Sequence, residues 1–475
     1  MTTRNLTLLI IILIGAVLVT LGFLYFYKPA NNDGTAGSAT NFISQLFPFG
    51  KSKTVTTPGG ETPVDVSGFV PTPVEEIPKT KITKVSTMPI AGYGVFMKER
   101  FKDVPVVANP TPTLPLSGEG DIISPPDKGG KGGLIAKGDL GGQKDKKGKV
   151  IPQKPTAPPT EFVPALRYVD RTTGNIYQTY ADKIEERKFS GTIIPKVYEA
   201  YFGDKDESVV MRYLKEDDKT IETFVGALAK EFLGADSDGS TDVKGSFLPE
   251  NITDMSMSPD GKRMFYLFNV GNGTTGITAE ASGGQKNQVF DSPFTEWLSF
   301  WPSNKMITLT TKPSANVPGF MYAIDPDKKD FNRILGGING LTTLTSPDGK
   351  LVLFGNNNLS LNIYNIATGN INQVSVKTLP EKCVWGRASD KVYCAVPKSI
   401  DGASYPDDWY QGEVSFGDEI WRIDAINGNA DILGDPSSMV GGEEVDGIKL
   451  SLDENEDYLF FVNKKDSYLW KLNLR

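Results

Sequence analysis

The chain of 475 residues contains no histidine. This absence excludes Ser-His-Asp and Cys-His catalysis, imidazole metal sites and a histidine pH switch. Basic residues are also in the minority, with 50 Lys and Arg against 58 Asp and Glu and a net charge of −8. General nucleic-acid binders carry a basic surface instead, so we predict no nucleic-acid partner. No phosphate-binding loop, dinucleotide fingerprint or Gly-x-Ser-x-Gly elbow occurs in a suitable setting, and we therefore predict no cofactor.

Cysteine is nearly absent as well. The two that occur, Cys383 and Cys394, stand symmetrically about a predicted hairpin turn in "WGRASDKVY". Opposed hairpin residues have Cβ atoms about 4.5–5.5 Å apart, and a disulfide requires about 3.5–4.5 Å. A close pair of the non-hydrogen-bonded type would meet this requirement, so we predict a disulfide; two buried free thiols are the alternative. Two thiols without histidine supply too few ligands for zinc.

Charged residues are missing from one long stretch, Leu6–Tyr27. A helix of about 20 apolar residues spans the core of a bilayer. A cleaved signal peptide, the alternative, has a shorter apolar region of about 7–15 residues before a small-residue cleavage site. Here the stretch ends in aromatic residues, which suit a membrane interface. We predict an uncleaved transmembrane signal-anchor over residues 1–28.

Large apolar residues are scarce in two further stretches. Residues 29–78 are rich in Thr, Pro and Gly, cannot bury a core, and are predicted to form a flexible linker. The stretch from about 103 to 160 is dominated by Gly, Pro and Lys and has no period of 2 or 3.6, so we predict a disordered insertion. Its lysines suit a solvated loop better than a surface for an anionic polymer. Residues 79–475 form the predicted globular domain.

Most of this domain consists of short runs rich in Val, Ile, Tyr, Phe and Trp, separated by Gly, Asn, Asp and Pro. Such runs predict strands and hairpins, and the fold class is therefore all-β. The same five letters, Ser-Pro-Asp-Gly-Lys, begin at Ser258 and again at Ser346, about 88 positions apart. Degenerate copies midway and beyond reduce the period to about 44. The inferred turns lie near residues 91, 203, 258, 301, 346, 387 and 451.

A repeat of about 40–45 residues with several strands and tight turns is typical of a β-propeller blade. One four-stranded sheet cannot bury its faces alone, but radial packing buries each sheet on its neighbours. We predict a β-propeller of about seven four-stranded blades, with the insertion in the first blade. Within the turns, Asp260 and Asp348 are better explained as turn-closing residues than as metal ligands or catalytic acids.

The two Ser-Pro-Asp-Gly-Lys turns, each followed by an apolar strand, resemble the blade hairpins of TolB-type and related WD-like β-propellers. The resemblance covers roughly Ile82–Arg475 apart from the insertion, and it implies the blade rather than a function. The chain differs from TolB proteins in lacking a separate N-terminal α/β domain and in its predicted anchor, so TolB partners are not inferred. Its layout also resembles uncharacterised membrane-anchored propeller proteins of bacteria.

The longest predicted loop between the second and third strands of a blade is "KSIDGASYPDDWYQGEVSFGD" in the sixth blade. We expect it to share one face with the insertion of the first blade. Aromatic rings beside carboxylates suit a glycan, a cationic partner or a peptide, although a self-packed surface loop is an equal alternative. The candidate ligand-binding residues are Tyr405, Asp407, Asp408, Trp409, Tyr410 and Glu413.

One acidic loop elsewhere has some features of a calcium site. Asp236, Asp238 and Asp242 have alternating spacing, but the first acid and the final glutamate of a calcium loop are missing. A plain polar loop is therefore favoured, and we predict no metal site.

These features together predict a single-pass membrane protein with a cytoplasmic N-terminus. The charge difference across the span is slight, but a disulfide would require an oxidising, periplasm-like compartment and would place the propeller outside the cytoplasm. The leading function is a binding or scaffold module for a protein or glycan partner. The alternative is an anchored, carboxylate-dependent enzyme, glycosidase-like or lyase-like, that uses Asp407 or Asp408 with Glu413.

Overall fold

The computed structural model describes residues 82–102, 158–205, 207–234, 236–438 and 442–475, all within one compact unit, Glu76–Arg475. The predicted anchor Leu6–Tyr27, the linker 29–78 and most of the insertion lie outside the described residues. In the part of the chain that is described, no helix is long and apolar enough to cross a membrane.

The described residues form seven four-stranded antiparallel sheets, so the chain is a seven-bladed β-propeller, as predicted. Blades one and two comprise β2 Ile90–Phe101, β3 Thr160–Asp170, β4 Ile176–Tyr180, β5 Arg187–Lys188, β6 Val197–Gly203, β7 Ser208–Leu214, β8 Ile221–Ala227 and β9 Lys244–Phe247. Blades three and four comprise β10 Ile252–Met257, β11 Arg263–Val270, β12 Gly273–Glu280, β13 Asn287–Ser292, β14 Trp297–Ser303, β15 Met306–Thr311, β16 Pro318–Ile324 and β17 Phe331–Asn339. Blades five and six comprise β18 Thr342–Thr345, β19 Leu351–Gly355, β20 Ser360–Asn365, β21 Ile371–Lys377, β22 Cys383–Trp385, β23 Lys391–Pro397, β24 Asp418–Asp424 and β25 Ala430–Gly434.

The seventh blade joins the two ends of the domain. Its inner strands are β26 Gly447–Leu452, β27 Tyr458–Asn463 and β28 Leu469–Asn473, and its outer strand is β1 Ile82–Lys84. Ile82 lies opposite Leu472, and Lys84 lies opposite Trp470. A strand from the start of the domain thus closes the ring and covers the edge of β28, which would otherwise present unpaired backbone groups.

The core lies between neighbouring blades rather than within any one of them. Leu353 of blade five and Val392 of blade six belong to one buried cluster, and both are fully inaccessible to solvent. Val210 of blade two packs in the same way into a cluster with Met264 and Tyr266 of blade three. Each sheet therefore buries its apolar faces only when its neighbours are present, which is the physical reason for the repeat.

The Ser-Pro-Asp-Gly-Lys segments are the turns between the first and second strands of blades three and five. The hydroxyl of Ser258 accepts the amide of Arg263 at 2.9 Å and donates to Asp260 at 2.6 Å, while Gly261 has φ +68°. The segment starting at Ser346 repeats these contacts. The aspartates are held by their own turns, so the architectural interpretation of the repeat is confirmed.

These first-to-second-strand turns lie on one face, here called the lower face, and adjacent turns are hydrogen-bonded to each other. The amide of Asp204 in blade two donates to the carbonyl of Gly261 in blade three at 2.6 Å. The amide of Arg387 in blade six donates to Glu456 in blade seven at 2.6 Å. The inferred turn near Ala91 is wrong, because Ala91 lies within strand β2.

The insertion begins and ends in blade one, as predicted, but on the other face from the one expected. It joins β2 to β3, whose ends pair at Phe101 and Thr160, and is therefore a first-to-second-strand connection on the lower face. The long loop of blade six joins the second strand to the third and belongs to the opposite, upper face. The expectation that both rise from one sector of one face is therefore wrong, because the insertion was placed one strand too late.

The predicted disulfide is present. Cys383 of β22 and Cys394 of β23 are directly opposed, with Cα atoms 4.1 Å apart, and their sulfur atoms are bonded. The close approach is that of a non-hydrogen-bonded pair, the geometry on which the prediction depended. The bond lies in the buried cluster between blades five and six.

Candidate functional site

The inner strands of the blades surround a central cavity of about 950 Å³. The innermost strands of six blades line the wall, and the sixth blade contributes residues of its connections instead, so residues distant in sequence meet there. Its polar lining includes Glu199 of β6, Asp254 of β10, Ser299 of β14 and Lys449 of β26, together with Glu381 from the short turn before β22. A cavity of this size falls within the usual range of small-ligand sites, about 300–1,000 Å³.

The loop between β23 and β24, residues 398–417, lies at the upper mouth of this cavity and is here called the cap. It contains one short helix, α1 Asp407–Gln411, which ends at Gly412 in the left-handed conformation. The Oδ2 atom of Asp407 accepts the amide of Ala315 in blade four at 2.5 Å. On the other side, Nζ of Lys464 in blade seven donates to the carbonyl of Trp409 at 2.6 Å. The cap is thus fixed to blades on both sides of its own.

A buried lysine anchors the cap from below. Lys382 has no solvent exposure, and its Nζ donates to Asp418 at 2.7 Å and also to Asp446. The carboxylate of Asp446 also accepts the indole N–H of Trp409 at 3.0 Å and the amide of Phe416 at 3.1 Å. Both of these donors belong to the cap. The charge cluster therefore fixes the cap to the frame of blades six and seven.

The surroundings shift the pKa values of Asp418 and Asp446 in opposite directions. Burial would raise the pKa of Asp446, but Lys382, Phe416 and Trp409 together hold it below its ordinary value. Burial raises the pKa of Asp418 to about 6, because Lys382 only partly compensates for it. Asp418 also has one oxygen, Oδ1, with no hydrogen-bond partner in the described residues. The carboxylate that accepts more hydrogen bonds thus has the lower pKa.

Two further carboxylates, Asp254 and Glu381, line the cavity beside the cap. Oδ2 of Asp254 accepts both the amide and the hydroxyl of Ser299, each at 2.6 Å. Burial nevertheless raises the pKa of Asp254 to about 6. Glu381 accepts the hydroxyl of Tyr410, and its pKa is raised to about 7 by burial and further by the charge of Asp254, against the effect of that hydrogen bond.

Three lysines line the cavity, Lys312, Lys449 and Lys464, and each has a partner elsewhere. Lys312 forms an ion pair with Glu296 at 3.1 Å, and Lys464 donates to the carbonyl of Trp409. Arg212, which is not part of the lining, forms an ion pair with Glu199 and donates to the carbonyl of Ile252. Lys449 donates to the carbonyl of Ala91 at 3.1 Å. Lys449 lines the cavity, and the loss of part of its hydration there lowers its pKa.

The six candidate residues predicted from the sequence all belong to the cap, but they do not all face the cavity. Trp409 and Tyr410 line the cavity. Tyr405 is buried within the cap, where its hydroxyl donates to the carbonyl of Asp401 and its ring stacks on Phe416. Of the acids, Asp407 and Asp408 accept backbone amides, from Ala315 and Ser404, and Glu413 is exposed.

Sequence reasoning missed Asp254, Glu381, Lys382 and Asp446. The only signal for Asp254 is a carboxylate in the middle of an apolar strand pattern, "NITDMSM". The others lie in connections whose spatial neighbours are far away in sequence. In the predicted calcium-like loop, Asp236 forms ion pairs with Lys98 at 2.7 Å and Arg187 at 3.6 Å. Among the described residues, no group of three or more acidic or thiol side chains is placed to hold a metal ion.

Neither a protein-family model nor a curated protein sequence matches the chain. Among similar solved structures, an oligogalacturonate lyase in complex with manganese is 8% identical with a TM-score of 0.43, over 66% of this chain and 85% of that one. An oligogalacturonate lyase from Vibrio parahaemolyticus is 9% identical with a TM-score of 0.42, over 66% and 86%. A functionally unknown protein from Desulfotomaculum acetoxidans is 14% identical with a TM-score of 0.42, over 64% and 91%. At these values the fold assignment rests on the strand pairing of this chain itself.

Proposed function

We propose that this protein is a binding module that takes its ligand, a glycan or a peptide segment of a partner protein, in the central cavity beneath the cap. One observation carries the proposal: the cap places Trp409 and Tyr410 on the wall of a 950 Å³ cavity that already holds the carboxylates of Asp254 and Glu381. Aromatic faces beside hydrogen-bonding groups are suited to sugar rings and peptide side chains.

The rigidity of the frame supports this role. Loops on a rigid scaffold commonly carry binding function, and the cap is fixed to blades four, six and seven at separate points. A preformed site loses less entropy on binding than a loop that must first become ordered. The TolB-type resemblance concerns the blades and adds no ligand to this proposal.

Filling the cavity should abolish binding. Leu298 lines the cavity from blade four, so Leu298→Trp places a large ring in the space that the ligand would occupy. We expect at least a 10-fold loss of affinity for any member of a panel of short oligosaccharides and ten-residue peptides that binds the full chain, measured by isothermal titration calorimetry. Ala367→Trp, in an exposed turn of blade five, is the matched control and should bind like the wild type. Unchanged binding in Leu298→Trp would place the ligand outside the cavity.

A second candidate function is a carboxylate-dependent enzyme. The observation that favours it is the pair Asp254 and Glu381, whose raised pKa values of about 6 and 7 allow proton donation and acceptance near neutral pH. Asp407 and Asp408 suit this role less well, because backbone amides already occupy them. Product analysis of each bound oligosaccharide separates the two functions: turnover that Asp254→Asn removes while binding persists favours the enzyme.

We also propose that the predicted span Leu6–Tyr27 anchors the propeller to a cell membrane, with the propeller outside the cytoplasm. The disulfide between Cys383 and Cys394 supports an oxidising compartment. The full chain should sediment with membranes and resist extraction by carbonate, whereas a chain without residues 1–28 should be released. Protease added outside the membrane of intact cells should cleave the propeller. Release of the full chain by carbonate, or free thiols in protein from its native compartment, would contradict the anchor or the location respectively.

A further inference from the structure

We infer that the ligand bound in the cavity carries a primary ammonium group, which the carboxylates of Asp254 and Glu381 recognise beside the rings of Tyr410 and Phe300. The inference rests on the proposed binding function and names the chemical class of the ligand. Asp254 belongs to blade three and Phe300 to blade four. Glu381 lies in the connection between blades five and six, and Tyr410 lies in the cap of blade six.

Asp254 and Glu381 have no cationic partner within the described part of the chain. Neither Asp254 nor Glu381 forms an ion pair with any lysine or arginine of the described residues, in contrast to the buried acids Asp418 and Asp446. Ser299 satisfies one oxygen of Asp254, and Tyr410 satisfies one oxygen of Glu381. A carboxylate withdrawn from water without a positive partner is costly, and a ligand cation would remove that cost.

The carboxylates of Asp254 and Glu381 also interact electrostatically. Both carboxylates line the same cavity, and the charge of Asp254 adds to the effect of burial in raising the pKa of Glu381. Like charges gathered in a confined space attract a cation between them. The other charged groups that act on Asp254 are Glu199 and Arg212, and these largely neutralise one another. Three lysines also line the cavity, Lys312, Lys449 and Lys464, but among the described residues none of them forms an ion pair with Asp254 or Glu381.

The surroundings of the two carboxylates suit an ammonium group better than a metal ion. Metal sites need three or more protein ligands in a small volume, and no such group exists among the described residues. Next to the carboxylates lie aromatic rings that remain partly open, Phe300 at 38% and Tyr410 at 37% exposure. Ring faces attract organic cations and also cover the methylene groups that carry an ammonium. Carboxylates with rings thus suit an amine better than a bare ion.

Two kinds of molecule present such a group: amino sugars and lysine side chains. The probes are therefore a glucosamine disaccharide with free amines, glycyl-lysyl-glycine, and the N-acetylated form of each. In calorimetry with the full chain at pH 8, at least one free amine should bind at least 10-fold more tightly than its acetylated form. Tighter binding of the glucosamine disaccharide would identify the ligand as an amino sugar. Tighter binding of glycyl-lysyl-glycine would identify it as a lysine side chain.

The variant that tests the site is Asp254→Asn with Glu381→Gln, which keeps shape and hydrogen bonding but removes both charges. It should lose about 10-fold or more in affinity for the amine probe, with no loss for the acetylated probe. Glu216→Gln with Glu454→Gln removes two exposed carboxylates and is the matched control, expected to bind like the wild type. Thermal unfolding confirms that both variants are folded.

Affinity for glycyl-lysyl-glycine should also fall about 10-fold between pH 8 and pH 5.5, because its side-chain ammonium stays charged over this range while protonation of carboxylates with raised pKa values removes the negative charge. Equal binding of free and acetylated probes, or no binding of either amine at millimolar concentration, overturns the inference. In either case the proposed binding function stands if Leu298→Trp still blocks a neutral ligand. The proposed binding function is contradicted only if Leu298→Trp binds every ligand like the wild type.

Discussion

Replacing Lys382 by Met is expected to destabilise the propeller by about 3–5 kcal/mol. The lysine is fully buried and is the cation that both Asp418 and Asp446 contact. Removing it leaves two carboxylates in the interior with no positive partner, which costs far more than the loss of one surface ion pair. Chemical denaturation followed by tryptophan fluorescence measures the effect. Lys391→Met, at a half-exposed lysine of the same blade, should change stability by less than about 0.5 kcal/mol.

The effect of Lys382→Met should depend on pH with a definite sign. Without the lysine, burial raises the folded-state pKa values of both aspartates above their unfolded values of about 4. The folded variant then binds more protons than the unfolded chain, so its stability is retained at low pH and lost as the pH rises through those raised values. The difference from wild type should thus be smaller at pH 5 than at pH 8. A pH-independent difference would show that lost packing, and not unpaired charge, causes the instability.

A charge-neutral triple variant separates the two explanations further. Lys382→Met with Asp418→Asn and Asp446→Asn removes all three charges at similar volume. If unpaired charge causes the loss, the triple variant should recover at least half of it, because neutral amides are much less costly to bury than ionised carboxylates. No recovery would mean that the cluster stabilises chiefly through the hydrogen bonds that Asp446 accepts from the cap.

The features that could be predicted from the sequence are those whose contacts are local. In the turn at Ser258, the hydrogen bonds of the Ser258 and Asp260 side chains span at most five residues. The five letters therefore specify the turn, and their spacing predicts the blades. The disulfide between Cys383 and Cys394 was accessible for the same reason, since the two residues are separated by a single hairpin. Local chemistry repeated at a fixed period is enough to predict a propeller.

The cavity could not be predicted in this way, because its contacts join distant parts of the chain. Lys382 and Asp446 are 64 positions apart, and Asp407 and Ala315 are 92 apart. Which blade meets which across the ring depends on the blade count and on which strand each loop follows. For example, the insertion joins the first and second strands of blade one. Assigning it to the connection between the second and third strands placed it on the wrong face of the propeller. The loop with Trp409 was found because it is long and aromatic, but Asp254 carries no such signal.

A charge in the closing strand should open the ring. Ile82 of β1 is 5% exposed, pairs with Leu472 of β28 and packs in the cluster between blades six and seven. Ile82→Asp places an unpaired carboxylate there and is expected to cost about 3–5 kcal/mol, compared with about 0.5–1.5 kcal/mol for the matched Ile82→Val. Thermal or chemical unfolding of the full chain measures the difference.

The site of the damage distinguishes ring opening from general destabilisation. Repeat architectures unfold locally where an interface is weakened, so amides of β28, Leu469–Asn473, should lose hydrogen-exchange protection before those of blades three and four. The exposed edge of β28 should also promote self-association, visible as a concentration-dependent increase in light scattering. Uniform loss of protection across all seven blades would contradict the role of β1 as the closing strand. Because the cap is anchored to Asp446 directly before β26, opening at this seam should also weaken ligand binding in the cavity.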